Sequence, residues 1–240
     1  GNPVYHWETH EKTGFAWWVA RMRHALHLAD LVRVDHFRGF AAYWEIPADA
    51  PNAIDGKWVP VPGDKLLNAL QQSFPYLPII AEDLGVITPD VIELRDKFRL
   101  PGMRVLHFAF AEGEANHFLP HHYIQNTVAY TGTHDNDTTV GWWNSVSANE
   151  KAYAQQYLKS DGHAIQWDMM RALSGSVANT VIFPMQDVLG LSSEHRMNFP
   201  GHPAGNWEWR FSWPQVRQEH TQKLARMTAE YERLSYGLQS

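Results

Sequence analysis

Five short runs of apolar and β-branched residues punctuate the chain: residues 31–35 (LVRVD), 78–83 (PIIAED), 103–110 (MRVLHFAF), 127–131 (TVAYT) and 179–184 (NTVIFP). None alternates apolar with polar positions, which is the pattern of strands buried on both faces. Between the runs lie stretches that carry helix-start signals: Thr88 before Pro89 and Asp90, Ser147 with Glu150 three residues on, and Ser212 with Gln215. Residues Phe15 to Ala29 read as a helix ahead of the first run. Strands alternating with helices predict an α/β fold with a parallel sheet, either an open doubly wound sheet or a closed barrel. No Gly-x-Gly-x-x-Gly and no Walker loop follows any of the runs, so the nucleotide-binding open sheet loses ground and a (β/α)8 TIM barrel is expected. About five strands can be counted where a closed barrel needs eight. With an opening at Gly1 on an aromatic loop, the expectation is one catalytic barrel domain over residues 1–240 that lacks its first part.

Polar residues stand where the apolar runs end: Asp35 and His36, Glu82 and Asp83, His134 and Asp135, Gln186 and Asp187. In a barrel, residues at the carboxy-terminal ends of different strands converge at one mouth. Long segments rich in Gly, Pro and Trp, from Tyr43 to Gly63 and from Leu191 to Trp213, are expected as loops that build a groove there. Acidic residues at strand ends suit retaining glycoside cleavage. One carboxylate attacks the anomeric carbon, one carboxyl protonates the departing oxygen, and a third bonds the ring hydroxyls. Arg33 stands two residues before Asp35, on the same side of a strand, where a positive charge favours an ionised carboxylate. The residue types alone leave other barrel chemistries open, since acids at strand ends also bind metals or support enolisation.

Composition narrows the partners. With 44% hydrophobic and 19% charged residues, the chain can bury a sizeable core. A formal charge of −6 argues against a phosphate-binding surface and hence against nucleic acid. No run of 18 apolar residues exists and the first residues have no signal-peptide form, so no membrane partner is expected. The absence of cysteine fits a cytoplasmic protein without disulfides or thiolate chemistry. Eleven Trp and nine Tyr offer flat faces for sugar rings, although for any single Trp packing a core or a loop-rich surface is the commoner use. His6 and His10 in HWETH lack the zinc signature and read as exposed loop histidines. Asn136 and Asp137 have no acidic cluster around them at Ca²⁺ spacing, so no metal is expected.

Longer motifs carry a resemblance. The stretch VRVDHFRGFAAYWEIPA resembles the nucleophile segment of glycoside hydrolase family 77, the amylomaltase or disproportionating-enzyme family. IIAEDLGVITPDV resembles its acid/base segment, VAYTGTHDNDTTVGWW its third-carboxylate segment, and RMNFPGHPAGNWEWRF the segment that closes its substrate groove. The likeness runs from Gly1 to about Leu234. It implies that Asp35 is the nucleophile, Glu82 the acid/base and Asp135 the transition-state carboxylate. Arg33 and His134 would contact sugar at the cleavage subsite, and Trp44, Phe108 and Asn198 would line the groove. His36, Arg38 and Asp83 would support these groups without touching substrate. The implied activity is a 4-alpha-glucanotransferase that passes segments of maltooligosaccharides, or of starch- or glycogen-derived α-1,4-glucans, to the 4-OH of an acceptor, with no cofactor. An α-amylase-type hydrolase, a non-catalytic glucan-binding half-barrel and a metal-dependent barrel hydrolase are the rivals. The family's earlier barrel segment and its donor-side aspartate are not found in the sequence, so the chain by itself is expected to be inactive.

Overall fold

The computed structural model describes residues 2–111 and 117–234. They form two compact units, one up to Met103 and one from Arg104 onward.

The first unit runs α1 (Trp7–Lys12), α2 (Ala16–Ala25), β1 (Val32–Val34), β2 (Ala42–Glu45), β3 (Lys57–Pro60), α3 (Gly63–Ser73), β4 (Ile79–Ala81), α4 (Pro89–Lys97) and the start of β5 (Gly102–Val105). β1 pairs in parallel with β4, with Val32 opposite Ile79, Arg33 opposite Ile80 and Val34 opposite Ala81. β4 pairs in parallel with β5, with Ala81 opposite Gly102. Each crossover carries a helix, the connection a parallel pair requires. α3 buries Leu66, Leu67 and Leu70 at helical spacing. They meet Phe37, Ile79, Ala81, Val91 and Leu100 in one core. α4 begins at the expected Thr88–Pro89 signal.

The second unit holds β6 (Thr127–Tyr130), α5 (Thr139–Ser145), α6 (Ala148–Leu158), α7 (Ile165–Ser174), β7 (Thr180–Ile182), α8 (Met185–Leu189) and α9 (Gln218–Glu230). β6 and β7 pair in parallel, with Ala129 opposite Val181. Leu106, Ala109, Phe110, Ala129, Met169 and Leu173 form its main core. Ser147 and Glu150 close a full capping box at the start of α6.

All five apolar runs therefore contain a strand, and the chain has an α/β fold with parallel strands. Several expectations need correction. β4 and most of β5 and β6 are buried as expected, while β1 is only half-buried and Thr180 and Ile182 of β7 are exposed. The run at 103–110 is strand only to Val105 and then a 3-10 helix, Leu106–Phe110, because its later apolar residues pack into a core as helical residues. The first expected helix stops at Ala25 rather than Ala29. Residues 43–63 are not a plain loop, since β2 and β3 pair as an antiparallel hairpin with Trp44 opposite Trp58. The capping box at Ser212 and Gln215 closes a single 3-10 turn, and α9 starts later, at Gln218. His10 lies on α1, and His6 caps that helix, with its Nδ1 2.9 Å from Thr9 Oγ1.

Candidate active site

In the first unit, the β1–β4 register places the two key acids. Val34 and Ala81 are the last paired residues, so Asp35 and Glu82 are each the first residue beyond the strand ends. The pairing continues a little further: Glu82 N donates to Val34 O at 3.0 Å and Phe37 N donates to Glu82 O at 3.1 Å. The Glu82 carboxylate is held at both oxygens by backbone donors. Oε2 accepts from His36 N at 2.7 Å and Oε1 from Leu84 N at 2.8 Å. Its orientation is thus set by the peptide that follows Asp35.

Asp35 itself is 75% exposed at the side chain, and its Oδ1 meets Arg33 Nη2 at 2.9 Å. An exposed ion pair of this kind adds little stability. Its consequence is directional, because Arg33 is itself placed by Nε donating to Met103 Sδ at 3.3 Å. His36, directly after Asp35, sits in the left-handed region at φ 49°, where a non-glycine residue costs on the order of 1 kcal/mol. That strained turn breaks β1 into the 3-10 helix Phe37–Phe40 and brings His36 N to Glu82. Arg38 is turned away from both acids: Nη1 donates to Val86 O and Thr88 Oγ1, and the guanidinium lies 4.3 Å over the Trp58 ring. Asp83 is buried, with Oδ2 on Arg95 Nη1 at 2.5 Å and Oδ1 accepting from Met103 N at 2.7 Å. Trp44 anchors the hairpin through Nε1 donating to Ala53 O at 2.8 Å and leaves 40% of its surface exposed. A cleft of about 460 Å³ borders Asp35, with Tyr5, Arg33, His36 and Tyr43 in its wall.

In the second unit, the loop between β6 and α5 carries the third acid. Asp135 Oδ2 stands 3.3 Å from His134 Nε2, and Asp135 Oδ1 accepts from Asn198 Nδ2 at 2.6 Å. His134, Asp135 and Asn198 are therefore brought together, as are Arg33, Asp35 and Glu82 in the first unit. Phe108 is 39% exposed while Leu106, Ala109 and Phe110 on the same 3-10 helix are buried, so its ring lies on the side away from the core, 5.3 Å from Phe118. Asp137 accepts from Thr138 N and from Ser193 Oγ, both at 2.7 Å. No group of three or more metal-ligating side chains occurs among the described residues.

Two residues escaped the sequence reading. Arg196 Nη2 donates to Asp135 O at 2.9 Å and its Nε to Asn198 O at 3.3 Å, clamping both residues. Trp207 places its ring 5.1 Å from that of His134, from a left-handed backbone at φ 65°. Both lie in the RMNFPGHPAGNWEWRF segment, where an arginine two residues before Asn198 was the available signal.

Parallel strands linked by helices, with Asp35 and Glu82 just past the strand ends and Arg33 on the strand beside them, define the class: an α/β domain that gathers acidic side chains where its strands stop. The family model described as 4-alpha-glucanotransferase, glycoside hydrolase family 77, matches residues 1–217. The 4-alpha-glucanotransferase of Thermus thermophilus is 50% identical over 242 residues, covering 98% of this chain and 48% of that protein. The chloroplastic/amyloplastic 4-alpha-glucanotransferase of Arabidopsis thaliana is 48% identical over 211 residues, covering 88% and 37%. Amylomaltase from Streptococcus agalactiae in complex with acarbose superposes with a TM-score of 0.92 at 37% identity, over 97% of this chain and 47% of that one. The chain belongs to glycoside hydrolase family 77, and it spans about half the length of the curated relatives it matches.

Proposed function

We propose that this chain supplies part of the (β/α)8 catalytic barrel of a 4-alpha-glucanotransferase. It acts on maltooligosaccharides and other α-1,4-glucans by retaining double displacement. One observation carries the reading: the Glu82 carboxylate is tied to the backbone immediately after Asp35, level with it across a parallel strand pair. Adjacent strands lie about 4.8 Å apart, a spacing compatible with the roughly 5–5.5 Å between carboxyl groups in retaining enzymes.

In the first step an oxygen of Asp35 attacks the anomeric carbon. The bond to the leaving 4-oxygen breaks and that oxygen takes a proton from Glu82. The glycosyl-enzyme then reacts with the 4-OH of an acceptor, whose proton passes to the Glu82 carboxylate as the bond to Asp35 breaks. Atoms and charge balance over the cycle without a cofactor. Arg33 orients Asp35, and Asp135, held by His134 and Asn198, bonds the ring hydroxyls as charge develops. Trp44 and Phe108 present half-exposed aromatic faces of the kind that stack on sugar rings. The five parallel strands among the described residues, β1 and β4 to β7, are fewer than a closed barrel contains, and the chain covers 48% of a full-length relative. These two facts support a barrel completed by further strands outside residues 1–240. Acarbose, bound by the Streptococcus agalactiae neighbour, is a ligand expected at this site too. The cysteine-free composition supports a cytoplasmic setting.

The test is product analysis with the complete barrel. Maltotriose should give glucose together with oligosaccharides longer than the substrate. Glucose and maltose alone would mark an amylase-type hydrolase. Glu82→Gln should lose about 10²- to 10⁴-fold on maltotriose and recover its first step on a glycosyl fluoride, which needs no proton to depart. Equal loss on both donors would remove Glu82 from the acid role.

A further inference from the structure

We propose that Asp187, together with Thr131, Thr139 and His107, is a positioning device that holds the loop of His134 and Asp135 in its working shape. The proposal rests on the role given above to Asp135. The carboxylate of Asp187 ties both ends of that loop. Its Oδ2 accepts from Thr131 Oγ1 at 2.5 Å, at the end of β6, and from Thr139 Oγ1 at 2.7 Å, at the start of α5. Its Oδ1 accepts from Thr139 N at 2.7 Å. All seven residues 132–138 thus hang between two anchor points on one side chain. That side chain is 1% exposed.

His107 completes the device. Its Nε2 is 2.9 Å from Thr139 Oγ1. The Thr139 hydroxyl already gives its proton to Asp187, so Nε2 must be the donor and Nδ1 must be bare. Nδ1 is indeed buried without a hydrogen-bond partner, and burial keeps the ring neutral by lowering its pKa to about 3. Protons therefore run one way, from His107 through Thr139 to Asp187. Gly132, the first loop residue, packs onto the same ring: a Cβ there would stand 2.6 Å from His107 Cε1 and 2.8 Å from Nδ1. An unpaired buried nitrogen costs about 1–3 kcal/mol. A fold that served packing alone would place an apolar residue there.

Asp187→Asn tests this in the complete barrel, because it keeps the size but sets an amide donor against two hydroxyl donors or against Thr139 N. We expect kcat on maltotriose to fall about 10²-fold, the effect of an ångström-scale misplacement, with KM little changed. Acarbose binding should weaken while maltotriose binding is kept, because Asp135 acts on the transition state. Nitrogen NMR should find the His107 proton on Nε2 in the parent and on Nδ1 in the variant. A folded variant with parental kcat would overturn the proposal, as would kcat, KM and acarbose affinity all worsening together in step with the melting temperature. If Asp187→Asn does not fold, Thr131→Val and Thr131→Ser decide: the valine should cost about 10-fold in kcat and the serine should restore it. Parental kcat in a folded Thr131→Val would again overturn it. If the parent itself left maltotriose unchanged, the glucanotransferase reading would fail instead, while the His107 proton position would still judge the network.

Discussion

His107 shows how a single buried group makes stability depend on pH. Burial lowers its folded pKa from 6.5 to about 3. Between those values acid protonates the unfolded chain but not the folded one, so this contribution is complete above about pH 6.5 and is lost as pH falls toward 3. The slope reaches about 1.4 kcal/mol per pH unit for one proton. Asp187 acts in the opposite sense, since burial raises its pKa and its contribution shrinks as pH rises through the folded value. Urea unfolding between pH 6.5 and 4 should therefore show a loss of stability on acidification that flattens in His107→Phe. An unchanged slope in that variant would assign the acid sensitivity to other groups. Asp83 is a second residue with a large expected effect. Asp83→Ala leaves buried Arg95 with the half-exposed Asp96, at 2.7 Å, as its remaining ionic partner among the described residues, and a loss of about 3 kcal/mol is expected in denaturant unfolding. A loss below 1 kcal/mol would show that Arg95 finds water.

At the scale of elements, Arg233 caps α7 from outside. Its guanidinium donates to the carbonyl of Ser174 at 2.7 Å, at the end of that helix where carbonyls lack intrahelical partners, and to those of Ser176 at 2.8 Å and Ala178 at 2.9 Å in the turn that follows. Arg233→Met should lower stability by about 2 kcal/mol and speed amide exchange at the end of α7 ahead of its first turn. Uniform acceleration along the helix would contradict a local cap. How far such elements were legible depended on the physics behind each signal. The runs at 32–34, 79–81 and 127–130 declared themselves because side chains branched at Cβ favour strands and each run is short and bounded by turn residues. MRVLHFAF misled at its end, because a buried 3-10 helix and a buried strand are equally apolar. Ser212 with Gln215 gave a true capping box that closes only one turn. The hairpin at 42–60 was hidden by its long connection, although Trp44 and Trp58 are cross-strand partners. For the site, Asp35, Glu82 and Asp135 were readable as acids at run ends. The Asp187 network was not, since its members come from four separate places and only the tertiary structure joins them.

At the scale of the molecule, the proposed function makes residues 1–240 a contributor to a barrel and not a barrel in themselves. The isolated chain should show little turnover of maltotriose, and adding the remaining strands, in cis or as a second chain, should restore it. Turnover by the isolated chain at the rate of a full-length protein would refute that part of the account. The central claim concerns the bond made by Asp35, and trapping that bond tests it most directly. In the complete barrel, Glu82→Gln treated with a maltosyl fluoride should accumulate a glycosyl-enzyme, because formation needs no acid while breakdown needs the missing base. Peptide mass spectrometry should place the sugar on the peptide containing Asp35, and Asp35→Asn should abolish the label. A label on another residue, or turnover of the fluoride with inversion and no adduct, would contradict the account.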